Sequence, residues 1–192
     1  MTGVQTCALP ISADHFGLTA EVDLIMGTFS KSLASVGGFI AATSEIINYL
    51  QHHARPMIFS ASMPPSAVAA AMAALEIIQT EPERQEKLWS NTAYMAKAMQ
   101  DLGFDTNTSE TPIIPIYIRD NHLTFQFTQE LFEEGIFVNP VVSPAVRSDS
   151  SLIRMSIMAT HTKDQLDEAI DKIEKVATRL QVLTKAGEKQ HG

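Results

Sequence analysis

Short apolar runs and amphipathic stretches alternate along the first part of the chain. Residues 21–29 and 38–43 are mostly apolar and flank a loop rich in serine and glycine, which predicts two buried strands. Ser44 is a favourable N-cap residue, and the apolar spacing after it predicts a helix that ends near His53. Residues 58–62 are predicted to be extended.

Proline and glycine positions delimit two longer helices. Pro64 and Pro65 suit the first turn of an alanine-rich helix that is predicted to end near Gln79. Pro82 opens a second helix, in which apolar residues repeat at helical spacing until Gly103 ends it.

The rest of the chain continues the alternation. The predicted elements are, in order, a strand at residues 113–118, a helix at 123–134, a short strand at 136–139, a polar loop at 140–151, a strand at 152–158 and an amphipathic helix after the capping-box pattern of Thr162 and Gln165. This pattern predicts an α/β fold with a boundary near residues 80–82. We expect the end of a large mixed-sheet domain at residues 13–81, a small α/β domain with an antiparallel sheet at 82–183, and a tail at 184–192.

Composition excludes several classes of protein. The chain has 192 residues, 45% hydrophobic and 19% charged, so a packed core is expected and disorder is not. The net charge of −8 argues against a nucleic-acid partner held by a basic face. No apolar run approaches the roughly 20 residues of a bilayer span, so no transmembrane segment is expected. We expect a cytoplasmic protein, with peripheral contact to the inner membrane left open.

The first twelve residues are set aside from fold reasoning. Residues 1–12 lack the basic start and apolar core of a secretion signal, and they resemble translated adapter sequence. Cys7 is the only cysteine, so it cannot form an internal disulfide. A single thiol suits a reducing cytoplasm.

The candidate chemistry concentrates in the loop at residues 27–38. Lys31 follows the hydroxyls of Thr28 and Ser30 and precedes two further serines and a glycine pair. A lysine that forms a Schiff base needs a fixed place at a strand end, partial desolvation and neighbouring donors for an anionic phosphate. Spacing alone also fits, and favours, a flexible surface loop with one solvated lysine. The Gly-x-x-x-x-Gly-Lys arrangement of a Walker motif is absent.

Three strings of sequence together resemble one family. Residues 21–39, EVDLIMGTFSKSLASVGGF, resemble the cofactor-lysine segment of the α-oxoamine synthases. Residues 55–65, RPMIFSASMPP, and 152–162, LIRMSIMATHT, agree in order and spacing. The resemblance runs from residue 13 to about residue 183. It implies the C-terminal part of a fold-type I transferase that uses pyridoxal 5′-phosphate (PLP), including the end of its large domain and its small α/β domain.

The family condenses an amino acid with an acyl-CoA. The strings TFSKSLAS and FVNPVVSPA, the latter at residues 137–145, are most similar to bacterial members that join L-serine to a long-chain acyl-CoA with decarboxylation. The resemblance therefore implies the first step of sphingolipid synthesis, in a homodimer whose site is shared across the interface. Two related activities remain alternatives, namely the condensation of glycine with acetyl-CoA and that of alanine with a pimeloyl thioester. So does a non-catalytic partner subunit, although the presence of Lys31 argues against it.

The resemblance also assigns roles to individual residues. Lys31 would form the Schiff base and then remove the substrate α-proton, while Thr28 and Ser30 would bind the cofactor phosphate. Ser60, with the backbone around Ala61, would reach the phosphate of the neighbouring subunit's cofactor. Arg154 would hold the substrate carboxylate in a bidentate pair. Simpler interpretations are a local turn for Ser60 and a solvated edge-strand arginine for Arg154.

Histidines are weaker candidates. His52 and His53 are adjacent in a predicted helix and would point about 100° apart, so we expect no metal site there. His161 precedes the capping Thr162, and a structural role beside the Arg154 strand is favoured over a catalytic one.

One departure from the family lies before the lysine. The family carries an Asp-Glu-Ala-His segment a few dozen residues earlier, whose Asp pairs with the cofactor ring nitrogen and whose His stacks on the ring. That segment is absent here, and Asp14-His15 belongs to a different family piece. We therefore expect the chain alone to be a truncated segment that holds the lysine without efficient catalysis. Apolar strand edges left unpaired by truncation should favour association.

Overall fold

The structure is a computed structural model that describes residues 13, 16–107, 109 and 111–183. The interpretations of residues 1–12, including Cys7, of Asp14-His15 and of the tail at 184–192 lie outside these residues. The chain divides into two compact units, Met1–Pro82 and Glu83–Gly192. Each unit is described by itself below.

Between residues 16 and 82, the first unit contains a hairpin followed by three helices. Strands β1 (Leu24–Thr28) and β2 (Gly38–Ala42) pair antiparallel, with Met26 opposite Ile40 and Thr28 opposite Gly38. The helices are α1 (Ser44–His53), α2 (Arg55–Ile58) and α3 (Pro65–Thr80). Each strand pairs only with the other among the described residues, so the outer edges of the hairpin are unpaired there.

Three expectations for this unit are wrong. Thr43, not Ser44, occupies the N-cap position of α1, because its backbone is extended whereas Ser44 is already helical. Ile58 ends helix α2, so the extended segment starts later than residue 58. The strands are not buried, since Met26 is 68% and Ile40 45% exposed. The apolar runs indicated strands correctly, but no described element covers this face of the hairpin.

The second unit is an antiparallel sheet with helices packed against it. Its elements are α4 (Glu83–Asp101), β3 (Ile113–Tyr117), α5 (Asn121–Glu133), β4 (Asn139–Val141), β5 (Leu152–Ser156) and α6 (Lys163–Arg179). The strand order is β3-β5-β4, with β5 in the centre. Helices α4 and α5 contact the sheet, and α6 contacts both helices. The expected antiparallel sheet covered by helices is therefore present.

The core of the second unit follows from alternation along its strands. Ile153 and Met155 of β5 are buried, whereas Arg154 and Ser156 between and beyond them are exposed. Fully buried side chains from the helices complete the core, and the largest are Phe127, Met95, Met99 and Ile173. This alternation places Arg154 on the face of the sheet away from the core.

Helix ends in this unit follow local sequence rules. Thr162 and Gln165 form the expected capping box at the start of α6. Asp120 caps α5 by accepting a hydrogen bond of 2.7 Å from the Leu123 amide. The strand expected at residues 136–139 begins only at Asn139. The Ile136 amide donates to the Leu131 carbonyl at 2.8 Å, so it belongs to the end of α5 and cannot pair in a sheet.

Within the described part of the chain, no helix combines the length and the apolar character needed to cross a bilayer.

Candidate functional site

The loop between β1 and β2 is held by its own backbone hydrogen bonds. The Phe29 amide donates to the Gly37 carbonyl, and the Ser35 amide donates to the Phe29 carbonyl, each at 2.9 Å. The Ala34 amide donates to the Lys31 carbonyl at 3.0 Å. The side chain of Leu33 is buried, which helps to fix the position of the loop. The loop is therefore closed at its base and turned back on itself next to Lys31.

Glycines allow close approach at the base of this loop. A Cβ on Gly38 would lie 2.6 Å from the Gly27 carbonyl oxygen, a distance that no real side chain tolerates. Gly37 has a φ of +103°, a conformation that residues with a side chain rarely adopt. The rings of Phe29 and Phe39 stack at 5.8 Å beside these glycines. Gly37 and Gly38 thus allow β1 and β2 to approach closely at the base of the Lys31 loop.

The expected phosphate-binding hydroxyls lie together. Thr28 Oγ1 and Ser30 Oγ are 2.9 Å apart, and the Ser30 backbone amide donates to Thr28 Oγ1 at 3.3 Å. Thr28 Oγ1 also lies 3.4 Å from the Gly37 carbonyl, to which it can donate. Both side chains are exposed. The end of β1 therefore offers two adjacent hydroxyls to an acceptor from outside the chain.

Lys31 follows these hydroxyls on the same loop. Among the described residues, no side chain forms a hydrogen bond or ion pair with its amine, and the residue is exposed. The expected partial desolvation is therefore not present in this chain, because no described element of the first unit covers the loop. What the first unit does supply is a fixed backbone position for the lysine, three residues beyond the end of a strand.

Ser60 and Ala61 lie in the connection between α2 and α3, and both are exposed. This connection is attached to the lysine loop nearby. Ser35 Oγ donates to the Ala67 carbonyl at 2.7 Å, and Met63 packs so closely on Gly37 that a Cβ there would lie 2.6 Å from its sulfur. The loop and the Ser60 connection are therefore parts of one structure. Sequence reasoning gave Ser35 no role of its own.

Arg154 lies in the second unit, in the central strand of the sheet. It stands opposite Pro115 of β3 and Asn139 of β4. Its guanidinium has no hydrogen-bond or ion-pair partner among residues 16–107 and 111–183. The interpretation of Arg154 as an edge-strand residue is wrong, because β5 is the central strand. A cation at this position is free to hold an anionic ligand.

Arg154 borders a cleft of about 550 Å³ within the second unit. The cleft lies where β4 stops and β5 continues beyond it. Its lining mixes apolar and polar side chains, namely Met95, Gly135 to Asn139, Arg154 to Met158, His161, Gln165, Leu166, Glu168, Ala169 and Ile173. Arg154 borders this cleft, and its unpaired guanidinium can bind a ligand that carries a carboxylate.

Sequence reasoning did not identify one buried polar residue that bonds to two residues lining this cleft. Asn91 of α4 is 4% exposed and donates from its amide nitrogen to the carbonyls of Met158 and His161, both at 3.0 Å. The available signal was a polar residue three positions after Leu88 in an otherwise apolar helical stripe. Its two partners are distant in sequence, so the stripe could not identify them.

A cluster of polar and charged side chains connects two helices of the second unit. Tyr94 Oη donates to Asp167 Oδ1 at 2.5 Å, and Lys163 Nζ donates to Asp167 Oδ2 at 2.7 Å and to Tyr94 Oη at 3.0 Å. Hydrogen bonds from Lys163 and then from Tyr94 lower the pKa of Asp167. Hydrogen bonds to Asp167 and then to Tyr94 raise the pKa of Lys163. This cluster joins α4 to α6 and lies apart from the lining of the cleft.

The described residues include no group of three or more His, Cys, Asp or Glu side chains placed to hold a metal ion. The Nδ1 atoms of His52 and His53 pair with the carbonyls of Asn48 and Tyr49, one helical turn earlier.

Comparison with known proteins identifies the family. The model of the family "Aminotransferase class I and II" matches residues 2–173. The chain belongs to this family. The matched range includes residues 2–12, the rest of the first unit and the second unit as far as residue 173.

Individual relatives refine this result. A serine palmitoyltransferase of Bacteroides ovatus is 57% identical over 170 residues, which are 88% of this chain and 43% of the relative. An 8-amino-7-oxononanoate synthase of Thermosipho melanesiensis is 46% identical over 170 residues, which are 88% of this chain and 44% of the relative. A solved structure described as SPT with a PLP internal aldimine superposes with a TM-score of 0.84 at 31% identity, covering 89% of this chain and 44% of that chain. The chain thus spans less than half the length of these family members.

Proposed function

We propose that the protein containing this chain is a PLP-dependent acyltransferase that condenses L-serine with a long-chain acyl-CoA and releases carbon dioxide, the first step of sphingolipid synthesis. The observation that carries the proposal is the closed hairpin loop, which holds Lys31 next to the paired hydroxyls of Thr28 and Ser30. The relative from Bacteroides ovatus, 57% identical, supports serine as the amino acid.

The residues of the loop fit the proposed cofactor. A phosphate needs hydrogen-bond donors without nearby carboxylates, and residues 24–44 contain two threonines and four serines but no Asp or Glu. The cofactor aldehyde needs a free amine, and Lys31 has no partner among the described residues. PLP, when bound, withdraws electron density from the α-carbon of the amino acid. We therefore assign phosphate binding to Thr28 and Ser30, and attachment of the cofactor to Lys31.

The chain's own residues then have separate tasks. Arg154 binds the serine carboxylate through its guanidinium and so orients the α-carbon. The amine of Lys31 accepts the α-proton of the substrate. In the overall reaction a C–C bond forms between the α-carbon and the thioester carbonyl carbon. The C–S bond breaks so that CoA leaves as its thiol. The bond between the α-carbon and the carboxylate breaks to release carbon dioxide, and the α-carbon takes up a proton from solvent in its place.

The partners and the location belong to the same proposal. We assign Ser60, with the backbone around Ala61, to the cofactor phosphate of a neighbouring subunit in a homodimer. Both residues are exposed in this chain, so a second subunit can reach them. We also assign the protein to the cytoplasm, and contact with the inner membrane stays a prediction.

The test uses the complete protein that carries this sequence, supplied with PLP. Release of the CoA thiol from palmitoyl-CoA is measured with L-serine, glycine and L-alanine. We expect release with L-serine, and a fall of about a thousandfold or more in Lys31→Ala, because the reacting amine is lost. Lys97→Ala is the matched control, since Lys97 is an exposed lysine of the second unit that pairs with Asp101 at 2.6 Å.

A second measurement reports on the lysine without turnover. Borohydride reduction in the presence of PLP, followed by peptide mass mapping, should label Lys31. Activity without this label would contradict the role of Lys31. No release of CoA with any of the three amino acids, together with no label, would favour a non-catalytic partner subunit.

One alternative has a specific observation in its favour. The relative from Thermosipho melanesiensis, at 46% identity, is an 8-amino-7-oxononanoate synthase. The alternative protein would join alanine to a pimeloyl thioester with the same lysine chemistry. Faster CoA release from pimeloyl-CoA with L-alanine than from palmitoyl-CoA with L-serine would decide for it.

A further inference from the structure

A buried asparagine fixes one wall of the Arg154 cleft. Asn91 is 4% exposed in helix α4, and its side-chain amide donates to two carbonyl oxygens, those of Met158 and His161, each at 3.0 Å. An amide nitrogen carries two protons, so both are used. A buried amide without acceptors is costly, so Asn91 needs both carbonyls of this turn, and its two hydrogen bonds join helix α4 to the turn.

The histidine of the turn completes the arrangement. His161 Nδ1 lies 3.3 Å from the Met158 backbone nitrogen, and the His161 amide is 3.3 Å from the Met158 carbonyl. A backbone amide can only donate, so Nδ1 accepts and the ring proton of the neutral imidazole is on Nε2. The turn between Met158 and His161 is thus held by the helix on one side and by its own imidazole on the other.

This turn lies between the strand that carries Arg154 and helix α6. Ile157 extends the strand by donating from its amide to the Pro112 carbonyl at 3.1 Å, and Thr162 caps α6 directly after the turn. Met158 and His161 line the same cleft as Arg154. The position of the turn therefore sets the distance between β5 and the start of α6, and with it the width of the cleft that Arg154 borders.

We propose that Asn91 is a positioning residue, which holds the Met158–His161 turn so that the cleft fits the ligand bound by Arg154. The inference rests on the proposed function, because it takes that ligand to be the amino-acid carboxylate. Asn91 acts through the turn and contacts no substrate. Its loss should weaken substrate binding and transition-state binding equally, which raises KM and leaves kcat unchanged.

The experiment compares neighbouring buried residues on the same helix in the complete, PLP-loaded protein. Thr92 is 6% exposed, but its hydroxyl donates to the Leu88 carbonyl one turn earlier in α4 and does not contact the turn. Asn91→Ala should raise the KM for L-serine about tenfold, since small displacements of positioning groups are costly, with kcat within about twofold of wild type. Thr92→Ala should lower the melting temperature without changing KM.

Histidine variants test the same turn if Asn91→Ala does not fold. His161→Leu removes the acceptor for the Met158 amide and should raise the KM for L-serine. His161→Asn places an amide oxygen near the position of Nδ1, so it should restore most of the wild-type KM. Failure of His161→Asn to rescue would mean that the ring acts through Nε2 on the ligand, which would overturn a positioning role for this turn.

Two results separate this inference from the proposed function. If the wild-type protein releases CoA with L-serine and Asn91→Ala and His161→Leu leave KM unchanged, the positioning role is wrong and the proposed function stands. If the wild-type protein neither turns over L-serine nor binds it in calorimetry, the proposed function fails first. Equal rises in KM for Asn91→Ala and Thr92→Ala would also overturn the inference, because any loss of packing in α4 would then suffice.

Discussion

The two units of the chain differ in how they hold their candidate site residues. In the second unit, Arg154 belongs to a sheet whose other face packs against a closed core, with Phe127, Ile116 and Ile153 fully buried. In the first unit, Leu33 and Ala71 are the buried apolar residues among those described, and Lys31 is held by a hairpin loop. One site residue is therefore positioned by packing, and the other by local backbone hydrogen bonds.

This difference predicts where substitutions act. A packed core spreads the loss of one side chain over many neighbours, so damage there appears as lost stability of the whole unit. A hairpin loop has few neighbours, so damage there appears as a displaced loop and weaker ligand binding. Substitutions in the core of the second unit should therefore mainly lower stability, and substitutions in the loop of the first unit should mainly lower PLP affinity.

The largest expected effect comes from the core. Phe127→Ala removes a fully buried ring that lies 6.4 Å from the ring of Phe104. We expect the free energy of unfolding to fall by about 3–5 kcal/mol in urea denaturation. Phe125→Ala on the same helix is the control, because Phe125 is 53% exposed, and its change should stay within about 0.5 kcal/mol. Similar losses for both variants would show that α5 is not held by this core.

The second-largest effect is expected from a substitution at the base of the hairpin. Gly38→Ala places a Cβ 2.6 Å from the Gly27 carbonyl oxygen, and backbone cannot move aside as a flexible side chain can. We expect a loss of about 1–3 kcal/mol and weaker PLP binding, because the ends of both strands must separate beneath Lys31. Spectroscopic titration of the complete protein with PLP measures the second effect.

A glycine in the second unit serves as its control. Gly103 has a φ of +92° but no atom within 4 Å of an added Cβ. Gly103→Ala should therefore lose stability through backbone strain of about 1–2 kcal/mol, with PLP affinity unchanged. A loss of PLP affinity in this variant would contradict the prediction that PLP affinity depends on the loop of the first unit.

Local signals account for what could be predicted from sequence. The capping box of Thr162 and Gln165 is confirmed, because both partners lie within one helical turn. The two strands on either side of the Lys31 loop were expected from their apolar runs, but their antiparallel pairing as a hairpin was not predicted. Strand burial was wrong, because periodicity reports which residues are apolar, whereas burial depends on what covers them.

Long-range contacts account for the rest. Asn91 reaches carbonyls that are 67 and 70 residues away, and no pattern within α4 could identify them. The late start of β4 has a local cause instead, because the Ile136 amide donates to the Leu131 carbonyl at the end of α5. Polar residues in apolar stripes are therefore the positions at which sequence reasoning most needs a structure.

A smaller effect is expected when the hydroxyl of Thr28 or Ser30 is removed, and it should appear in PLP affinity and not in stability. Thr28→Val and Ser30→Ala each remove one donor next to Lys31, and both residues are exposed. We expect PLP affinity to fall about tenfold in each variant, which corresponds to one hydrogen bond to a charged group, with little change in stability. Ser32→Ala is the control, because its hydroxyl lies on the other side of Lys31 in sequence and outside the Thr28–Ser30 pair. A fall as large in Ser32→Ala would mean that any hydroxyl in the loop contributes, so that the pair has no special role.

The smallest effect concerns the acid stability of the second unit. Hydrogen bonds from Lys163 and Tyr94 hold the pKa of Asp167 below its usual value in the folded protein. A carboxyl with a lowered folded pKa stabilises the fold above its unfolded pKa, and this contribution is lost as pH falls through the folded pKa. The melting temperature of wild type should therefore drop more steeply below about pH 4 than that of Asp167→Asn, which has no such proton to take up. The cluster is exposed, so the difference between the two slopes should shrink at high salt. Parallel slopes for the two proteins at low salt would show that this cluster does not join α4 to α6 in solution, and that the apolar core alone holds the second unit together.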